Sequence, residues 1–264
     1  MLIDSHCHIP HKKYEKNADE IVNEAKNEGV EKIISIGTSI QDSKDVLEAT
    51  KPYENVYATI GVYPHEDLDK SLDEIREELE NLLKNNRERI VGIGECGIDI
   101  VDGESVDYET RDLEEQKELF KLQIGLAIQY DLPIVIHNRD GDEEILNILR
   151  LYKEAKLRGV VHCYTSDWEF AKDLLHLDFY ISFSAIITYP SAGEGLLLAV
   201  KNVMRDRLLV ETDAPYLAPQ GHRGEINYPK YVKITAAKVA QIRNSTLEEI
   251  EKYTYQNTCQ LFNI

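Results

Sequence analysis

Residues 2–10 read LIDSHCHIP, a short apolar run that ends in two histidines, His6 and His8. Side chains of an extended strand alternate between its two faces, so both imidazoles are expected to point to the same side. Such a pair can chelate a metal ion, although a solvent-facing pair at a chain start gives the same pattern. The residues at the ends of the other predicted strands decide between metal binding and a solvent-facing pair.

Seven further apolar runs rich in β-branched residues follow along the chain, separated by charged stretches with helical spacing. The predicted strands are residues 2–8, 32–37, 56–61, 90–97, 132–137, 159–163, 179–184 and 208–213. Eight strand–helix repeats predict an α/β protein with a parallel (β/α)8 barrel, the TIM barrel. An open, doubly wound sheet is the alternative, because a strand count does not show closure.

The composition fits one large domain. The chain has 264 residues, of which 42% are hydrophobic, and no Pro/Gly/Ser-rich linker divides it. We therefore expect a single barrel domain over residues 1–264, with surface loops at 99–112 and 218–229. No apolar run approaches the roughly 18 residues that span a bilayer, and Met1 leads into the first strand without a signal-like segment. A cytoplasmic protein without a membrane partner is expected.

The charge balance argues against an extended nucleic-acid surface. The formal net charge is −18, which repels a polyanion, and the sequence shows no basic stripe with interleaved aromatic residues. The four cysteines are too scattered for a disulfide framework, which fits a reducing compartment. Cys7, Cys96 and Cys163 each follow a His or Glu of interest, so strand alternation predicts that these thiols pack toward the covering helices.

Polar side chains end five of the eight predicted strands, where a TIM barrel places its catalytic groups. They are His6, His8, Glu95, His137, His162 and Asp213. One such residue is an ordinary strand end, but six in the same position indicate metal binding. Six nitrogen and oxygen ligands exceed what one four-coordinate ion uses, so the pattern predicts two ions with one shared ligand. Glu95 is the best bridge, because its strand lies between the two groups and a carboxylate can give one oxygen to each ion.

Eight segments of the chain carry a specific family pattern. They are DSHCH (4–8), GVYPH (61–65), GECGID (94–99), QKELFKLQIGLA (116–127), PIVIHNRD (133–140), VVHCYTSDWEFAKDLL (160–175), FYISFS (179–184) and ETDAPYLAPQGHRGEINYP (211–229). Together they resemble the TatD family of metal-dependent deoxyribonucleases, within the amidohydrolase-type barrel enzymes, over essentially the whole chain.

The resemblance implies roles for the strand-end residues. It implies that His6, His8 and Asp213 hold one ion with Glu95, that His137 and His162 hold a second ion with Glu95, and that Asp213 also accepts the proton of the attacking water. Two positions depart from the family pattern. Tyr63 stands where the family often has a histidine, which leaves only His65, and Ile100 stands where an aromatic residue is frequent. Both departures fall among residues expected near the substrate rather than among the ligands.

Other polar residues are assigned around this centre. We expect substrate contacts from His65, Arg139 and Arg223, since guanidinium groups can bind phosphate bidentately. The alternative for Arg139 is a structural ion pair with Asp140 or a neighbouring loop. Asp4 and Glu211 share the inward parity of His6 and Asp213, so they either orient ligands or bond to the backbone. Asp99 either orients the Glu95 loop or caps a turn.

The metal ligands predict a metal-dependent hydrolase, and the resemblance implies that it acts on ester bonds as a TatD-like deoxyribonuclease of the 3′-exonuclease type. Glu95 and Asp213 are its expected catalytic residues, and DNA ends or short single-stranded DNA its expected substrate. Two divalent ions per chain are expected. Imidazole with carboxylate suits Zn²⁺, Mn²⁺ or Fe²⁺, whereas the resemblance adds Mg²⁺. A small-molecule amide, lactone or phosphoester hydrolase is one alternative, and a non-catalytic metal-binding barrel is another. No obligate protein partner is evident.

Overall fold

The computed structural model describes residues 1–101 and 108–264. Within these ranges eight parallel strands form one sheet in chain order, and each strand pairs with the next. The strands are β1 (Leu2–Cys7), β2 (Val30–Ile36), β3 (Val56–Ile60), β4 (Ile90–Asp99), β5 (Ile134–Arg139), β6 (Gly159–Val161), β7 (Tyr180–Phe183) and β8 (Leu208–Val210).

Helices connect the strands and surround the sheet. They are α1 (Ala18–Asn27), α2 (Ile40–Thr50), α3 (Leu72–Asn86), α4 (Leu113–Tyr130), α5 (Asp142–Leu151), α6 (Trp168–His176), α7 (Glu194–Asn202), α8 (Val232–Arg243) and α9 (Leu247–Phe262). Capping boxes at Asn17, Ser71 and Thr246 start α1, α3 and α9, because each cap side chain accepts a bond from a free helical N–H. No helix in the described ranges is long and apolar enough to cross a membrane.

The first and last strands close the sheet into a barrel. A parallel bridge joins Cys7 to Ala214 just beyond β8. The N–H of Asp213 donates to the carbonyl of His6 at 2.9 Å, and the N–H of His8 donates to the carbonyl of Ala214 at 2.8 Å. The predicted (β/α)8 barrel is therefore confirmed over the doubly wound alternative. Its closing seam carries three of the six predicted ligands.

Two apolar layers hold the barrel. The larger one lies between the sheet and the helices and includes Cys7 and Cys96, which are fully buried as expected. The smaller one contains one face of the strands together with Leu261 and Phe262 from α9. Cys163 differs from the expectation, because it is half-buried and its Sγ lies 3.3 Å from the hydroxyl of Ser184.

Four strands end at positions that differ from the sequence prediction. β4 and β5 run to Asp99 and Arg139, so Glu95 and His137 lie inside strands rather than at their ends. β6 and β8 end earlier than predicted, so His162 and Asp213 follow them in non-strand backbone. The predicted loop 99–112 lies partly outside the described residues.

Candidate metal centre

The two carboxylate oxygens of Glu95 face two different pairs of histidines. Oε2 lies 3.3 Å from His6 Nε2 and 3.9 Å from His8 Nε2. Oε1 lies 3.0 Å from His137 Nδ1 and 3.0 Å from His162 Nε2. The residues that the sequence placed on strands one, four, five and six thus converge at one carboxylate. Its position between the pairs is the arrangement expected of a bridging ligand.

Asp213 completes the group on the β1 side. Its Oδ1 lies 3.4 Å from His8 Nε2 and 3.6 Å from His6 Nε2. The backbone of Asp213 has φ of 59°, a left-handed conformation that aspartate tolerates better than most residues. All six predicted strand-end residues, Glu95 among them, are therefore brought together in one cluster.

A β-bulge sets the direction of Glu95. Residues 93–96 of β4 face only residues 134–136 of β5, so one extra residue is inserted into β4. Gly97, which follows the bulge, has φ of 144°, and a Cβ there would lie 2.0 Å from the carbonyl oxygen of His137. Only glycine lets β4 approach β5 this closely, which explains the glycine after the Glu-Cys pair of the GECG segment.

Three of the imidazoles are held by the ring nitrogen that faces away from Glu95. His8 Nδ1 lies 3.2 Å from a main-chain carbonyl of β2. His162 Nδ1 lies 3.3 Å from Glu211 Oε1, and His137 Nε2 lies 3.4 Å from Asp99 Oδ2. Partners of this kind fix the tautomer and the ring plane of metal-binding histidines. The remaining nitrogen of each ring is left to act as a lone-pair donor.

His6 shows that the donor set fits a metal ion. Its side chain is fully buried, and neither ring nitrogen has a hydrogen-bond partner among the described residues. The ring stacks on His162 with 3.8 Å between centroids. A buried polar atom without a partner is costly, and a divalent ion would satisfy Nε2. Groups with ligand atoms within 4.8 Å of one another are His6, His8 and Glu95; Glu95, His137 and His162; and His6, His162 and Glu211.

The electrostatics of the centre keep Glu95 ionised. Burial by itself raises its pKa, but the charge of His162 and hydrogen bonds from His137 and His162 hold it well below the usual range. Burial lowers the pKa of His162, but Glu95 and Glu211 raise it well above its ordinary value. Glu95 is charged, and the imidazoles around it can act as metal donors once they have lost their protons.

Asp99 and Tyr63 support the second histidine pair. The Tyr63 hydroxyl donates to Asp99 Oδ2 and lies 3.4 Å from His137 Nε2. Arg139 Nε lies 3.4 Å from Asp99 Oδ1. Asp99 therefore orients His137, which neither of its two predicted roles included. Sequence reasoning missed the part of Tyr63, whose only signal was its departure from the family pattern.

The two inward carboxylates next to the seam have different partners. Asp4 accepts from the N–H of Thr212 at 2.9 Å and from its hydroxyl at 2.6 Å, so it fastens β1 to the segment after β8. Asp4 bonds to no ligand side chain among the described residues, which favours the backbone alternative. Glu211 instead contacts His162 and accepts from the N–H of Cys163 at 2.7 Å, so it has one contact of each kind that was predicted.

The residues expected to contact substrate are placed less directly. His65 is buried, with Nε2 3.0 Å from the carbonyl of Asp99 and Nδ1 accepting from the N–H of Arg111 at 3.1 Å. Both ring nitrogens are used inside the protein, which favours a structural role over the expected substrate contact. Arg139 forms an ion pair with Asp99 at the end of the neighbouring strand β4, and Arg223 lies over the ring of Tyr189 at 4.5 Å.

Comparison with known proteins agrees with the fold and with metal dependence. The family model described as TatD related DNase matches residues 3–263. The uncharacterized metal-dependent hydrolase YabD of Bacillus subtilis is 35% identical, with 100% of both chains covered. The uncharacterized metal-dependent hydrolase YcfH of Escherichia coli is 35% identical, over 100% of this chain and 96% of its own.

A solved structure gives the same result. The crystal structure of YjjV, a TatD homologue from Escherichia coli K12, superposes with a TM-score of 0.91 at 28% identity, covering 100% of this chain and 98% of that chain. The family match spans nearly every described element. The chain belongs to the TatD family of metal-dependent hydrolases.

Proposed function

We propose that the chain is a deoxyribonuclease that hydrolyses phosphodiester bonds at the 3′ ends of DNA with two divalent metal ions. One observation carries the proposal: the two oxygens of Glu95 each face a separate set of imidazole nitrogens, at 3.3 Å and 3.0 Å for the nearest members. Two ions that share a carboxylate suit in-line displacement at phosphorus, because they can serve the attacking and the leaving oxygen.

The ligands divide into two sets. His6, His8, Asp213 and Glu95 would hold the first ion, and His137, His162 and Glu95 the second. Zn²⁺, Mn²⁺ or Mg²⁺ would supply a water of lowered pKa and neutralise charge on the phosphoryl oxygens. The nitrogen-rich donor set favours Zn²⁺ or Mn²⁺ over Mg²⁺.

The side chains provide the proton acceptor and the positioning. Asp213 Oδ2 has no partner in the described ranges, so it is free to accept a proton while Oδ1 faces His6 and His8. Burial raises the pKa of Asp213, but the hydrogen bond with His8 and the charges of His6, His162 and His8 lower it by more. The pKa is therefore below its ordinary value, and Asp213 is ionised. Asp99 and Glu211 hold the ring planes of His137 and His162.

Arginines at the mouth are the proposed phosphate contacts. Arg139 pairs with Asp99 through Nε, and its side chain is 51% exposed, so the outer guanidinium nitrogens can reach a phosphate. Arg223 is exposed in the loop after β8. With a net charge of −18 the chain can contact few phosphates, which favours DNA ends or short single strands over continuous duplex.

The same charge favours one alternative, a hydrolase of a small amide, lactone or phosphoester. Such a substrate has little charge to repel and needs only the metal centre. A non-catalytic barrel is disfavoured by the presence of all six donors. The two enzyme functions share the metal centre and differ in what must bind beyond it.

The experiment is an end-labelled oligonucleotide incubated with the purified chain and each metal in turn, with bis(p-nitrophenyl) phosphate in parallel. Stepwise release of mononucleotides from the 3′ end supports the proposal. Hydrolysis of the small ester without any cleavage of the oligonucleotide would favour the small-molecule alternative. A matched control is His176→Ala, which removes an exposed histidine on α6 far from the donor set.

A further inference from the structure

Two loops on one side of the barrel mouth place cations over aromatic rings. Lys13, in the loop between β1 and α1, lies with Nζ 4.0 Å from the ring centre of Tyr216. Arg223, in the loop after β8, lies 4.5 Å from the ring centre of Tyr189. We name these four residues the aromatic rim. The sequence showed no basic–aromatic stripe because the members come from loops about 200 positions apart, which only barrel closure brings together.

The aromatic rim adjoins the metal centre. The ring of Tyr216 meets that of His8 edge-on with 5.9 Å between centroids, and its hydroxyl lies 3.1 Å from His11 Nε2. Burial, followed by the negative charges of Asp213 and Glu95, raises the pKa of Tyr216, which agrees with its closeness to both carboxylates. Tyr216 is nevertheless 38% exposed, so a ligand at the metal centre can extend across the ring.

Charge distinguishes this side of the mouth from the opposite side. Lys12, Lys13 and Arg223 are exposed and form no ion pair with a carboxylate that the structure describes. Across the mouth, the loop after β5 bounds a shallow cavity that is mainly acidic. Its lining includes Arg139, Asp140, Asp142, Glu143, Glu144 and Asp167. A polyanion is therefore attracted to the rim side, whereas on the β5 side Arg139 is the one cation among the described lining residues, which are otherwise acidic or neutral.

We propose that the aromatic rim binds the single-stranded segment of nucleic acid next to the scissile phosphodiester, with a base stacked on Tyr216 and phosphates bound by Lys13 and Arg223. The inference rests on the proposed nuclease function. An aromatic face accepts any unstacked base, and a lysine ammonium on a flexible stem can turn from the ring to a phosphate. Bases stacked inside a duplex cannot reach Tyr216, so the rim selects single strands or frayed ends.

The test compares binding of a fluorescein-labelled oligothymidylate, protected from cleavage by 3′ phosphorothioate linkages, by wild type and variants in the presence of Mn²⁺. Tyr216→Leu should weaken binding by roughly 5- to 100-fold, the range measured for loss of one base stack, whereas Tyr216→Phe keeps the ring and should stay within about 2-fold. Lys13→Ala should reduce the magnitude of the slope of log affinity against log salt by about 0.7, one phosphate contact.

Matched controls lie at the other end of the barrel. Lys32 Nζ lies 5.7 Å from the ring centre of Tyr255, a cation–aromatic pair remote from the mouth. Lys32→Ala and Tyr255→Leu should leave oligonucleotide affinity unchanged. Hydrolysis of bis(p-nitrophenyl) phosphate provides a second measurement, because this ester has a single phosphate and no nucleobase.

The outcomes separate the inference from the proposed function. Rim variants that lose at least about 10-fold more activity on the oligonucleotide than on the small ester support the inference. If wild type cleaves the oligonucleotide but Tyr216→Leu and Lys13→Ala bind it like the Lys32 control, the rim inference is overturned and the nuclease proposal stands. Equal losses on both substrates overturn it too, because Tyr216 would then act through His8. If wild type neither binds nor cleaves the oligonucleotide, both fall.

Discussion

At the scale of single residues, Glu95 holds the centre together because each of its oxygens faces one histidine pair. Glu95→Gln keeps the shape and removes the charge, so we expect it to weaken both ions. His137→Ala should weaken only the second ion and leave about one per chain. Metal content after equilibrium dialysis checks this, with His176→Ala as the control. Two ions held by Glu95→Gln at wild-type affinity would show that Glu95 does not bridge.

Asp213 combines ligand and proton acceptor in the proposed reaction. Asp213→Asn preserves size and hydrogen bonding but cannot accept a proton, so the turnover number should fall by about 10²-fold or more, the scale of a general base. Steady-state kinetics on a labelled oligonucleotide measure it, with metal content determined in parallel. Asp206→Asn is the control, since Asp206 is exposed in a short turn before β8. Near-normal turnover in a metal-loaded Asp213→Asn variant would remove Asp213 from the chemistry.

The residues of the donor set could be predicted from sequence because strand ends of a parallel barrel share one mouth. The residues that support them could not. Asp99 contacts both Tyr63 and His137, although the three residues come from different parts of the chain. Spacing in the sequence does not predict such contacts. His65 belongs to the same GVYPH segment as Tyr63, yet both of its ring nitrogens contact backbone groups.

At the scale of secondary-structure elements, irregular strands aim the ligands. Residues 4–7 of β1 face only residues 33–35 of β2, and β4 has the corresponding irregularity next to Glu95. Each extra residue changes the alternation of side chains locally. Strict alternation in the sequence predicted that His6 and Glu95 lie on the same face of the sheet. It did not predict the bulges that set the direction of the two side chains. It also placed Glu95 at a strand end, although β4 continues to Asp99.

Helix α4 is registered to the sheet by two buried glutamines. Gln123 accepts from the N–H of Val62 at 2.9 Å and donates to its carbonyl at 2.8 Å, and Gln116 pairs in the same way with Asp99. Each glutamine side chain thus bonds to the N–H and the carbonyl of one residue, in the place of a neighbouring strand. The position of α4 therefore fixes both the end of β4 and the loop that carries Tyr63.

Gln123→Ala leaves the buried N–H and carbonyl of Val62 without partners, so we expect a loss of about 2 kcal/mol or more in the free energy of unfolding. Gln129→Ala is the matched control, because Gln129 is exposed on the same helix. Urea unfolding of both variants gives the comparison. If the two variants were equally stable, the bonds to Val62 would contribute nothing beyond helix propensity.

At the scale of the whole molecule, the barrel could be predicted because eight strand–helix repeats admit few topologies. The charge distribution could not, since the net charge of −18 is a sum over the whole chain and does not show that basic and acidic residues lie on different sides of the barrel mouth. Lys13 lies beside Tyr216 only after β1 has met the loop that follows β8. A linear sequence gives the net charge but not its sidedness.

Stability of the metal-free protein should fall as the pH rises. Burial lowers the pKa values of His8, His137 and His162, but neighbouring carboxylates raise each above the ordinary 6.5. A raised histidine pKa stabilises the fold fully below the unfolded value, and that stability is lost as the pH rises through the folded value. Metal ions replace those protons, so the stabilisation by metal should increase over the same range.

Thermal unfolding between about pH 6 and pH 9, with a chelator and with Zn²⁺, measures both trends. The midpoint should decline with pH in the chelator series, and the shift on adding Zn²⁺ should grow. A midpoint that rises with pH in the absence of metal would contradict the assigned imidazole–carboxylate pairing.

The bonds between Asp4 and Thr212 join residues 208 positions apart. On the ribosome, β1 is therefore made long before its partner exists, and His6 and His8 emerge without Asp213 beside them. A nascent chain has no closed seam and no complete first ligand set until β8 and the residues after it have been released. Closure of the barrel and completion of the proposed first metal site thus belong to the same late event in biosynthesis, so we expect a chain stalled before β8 to have neither.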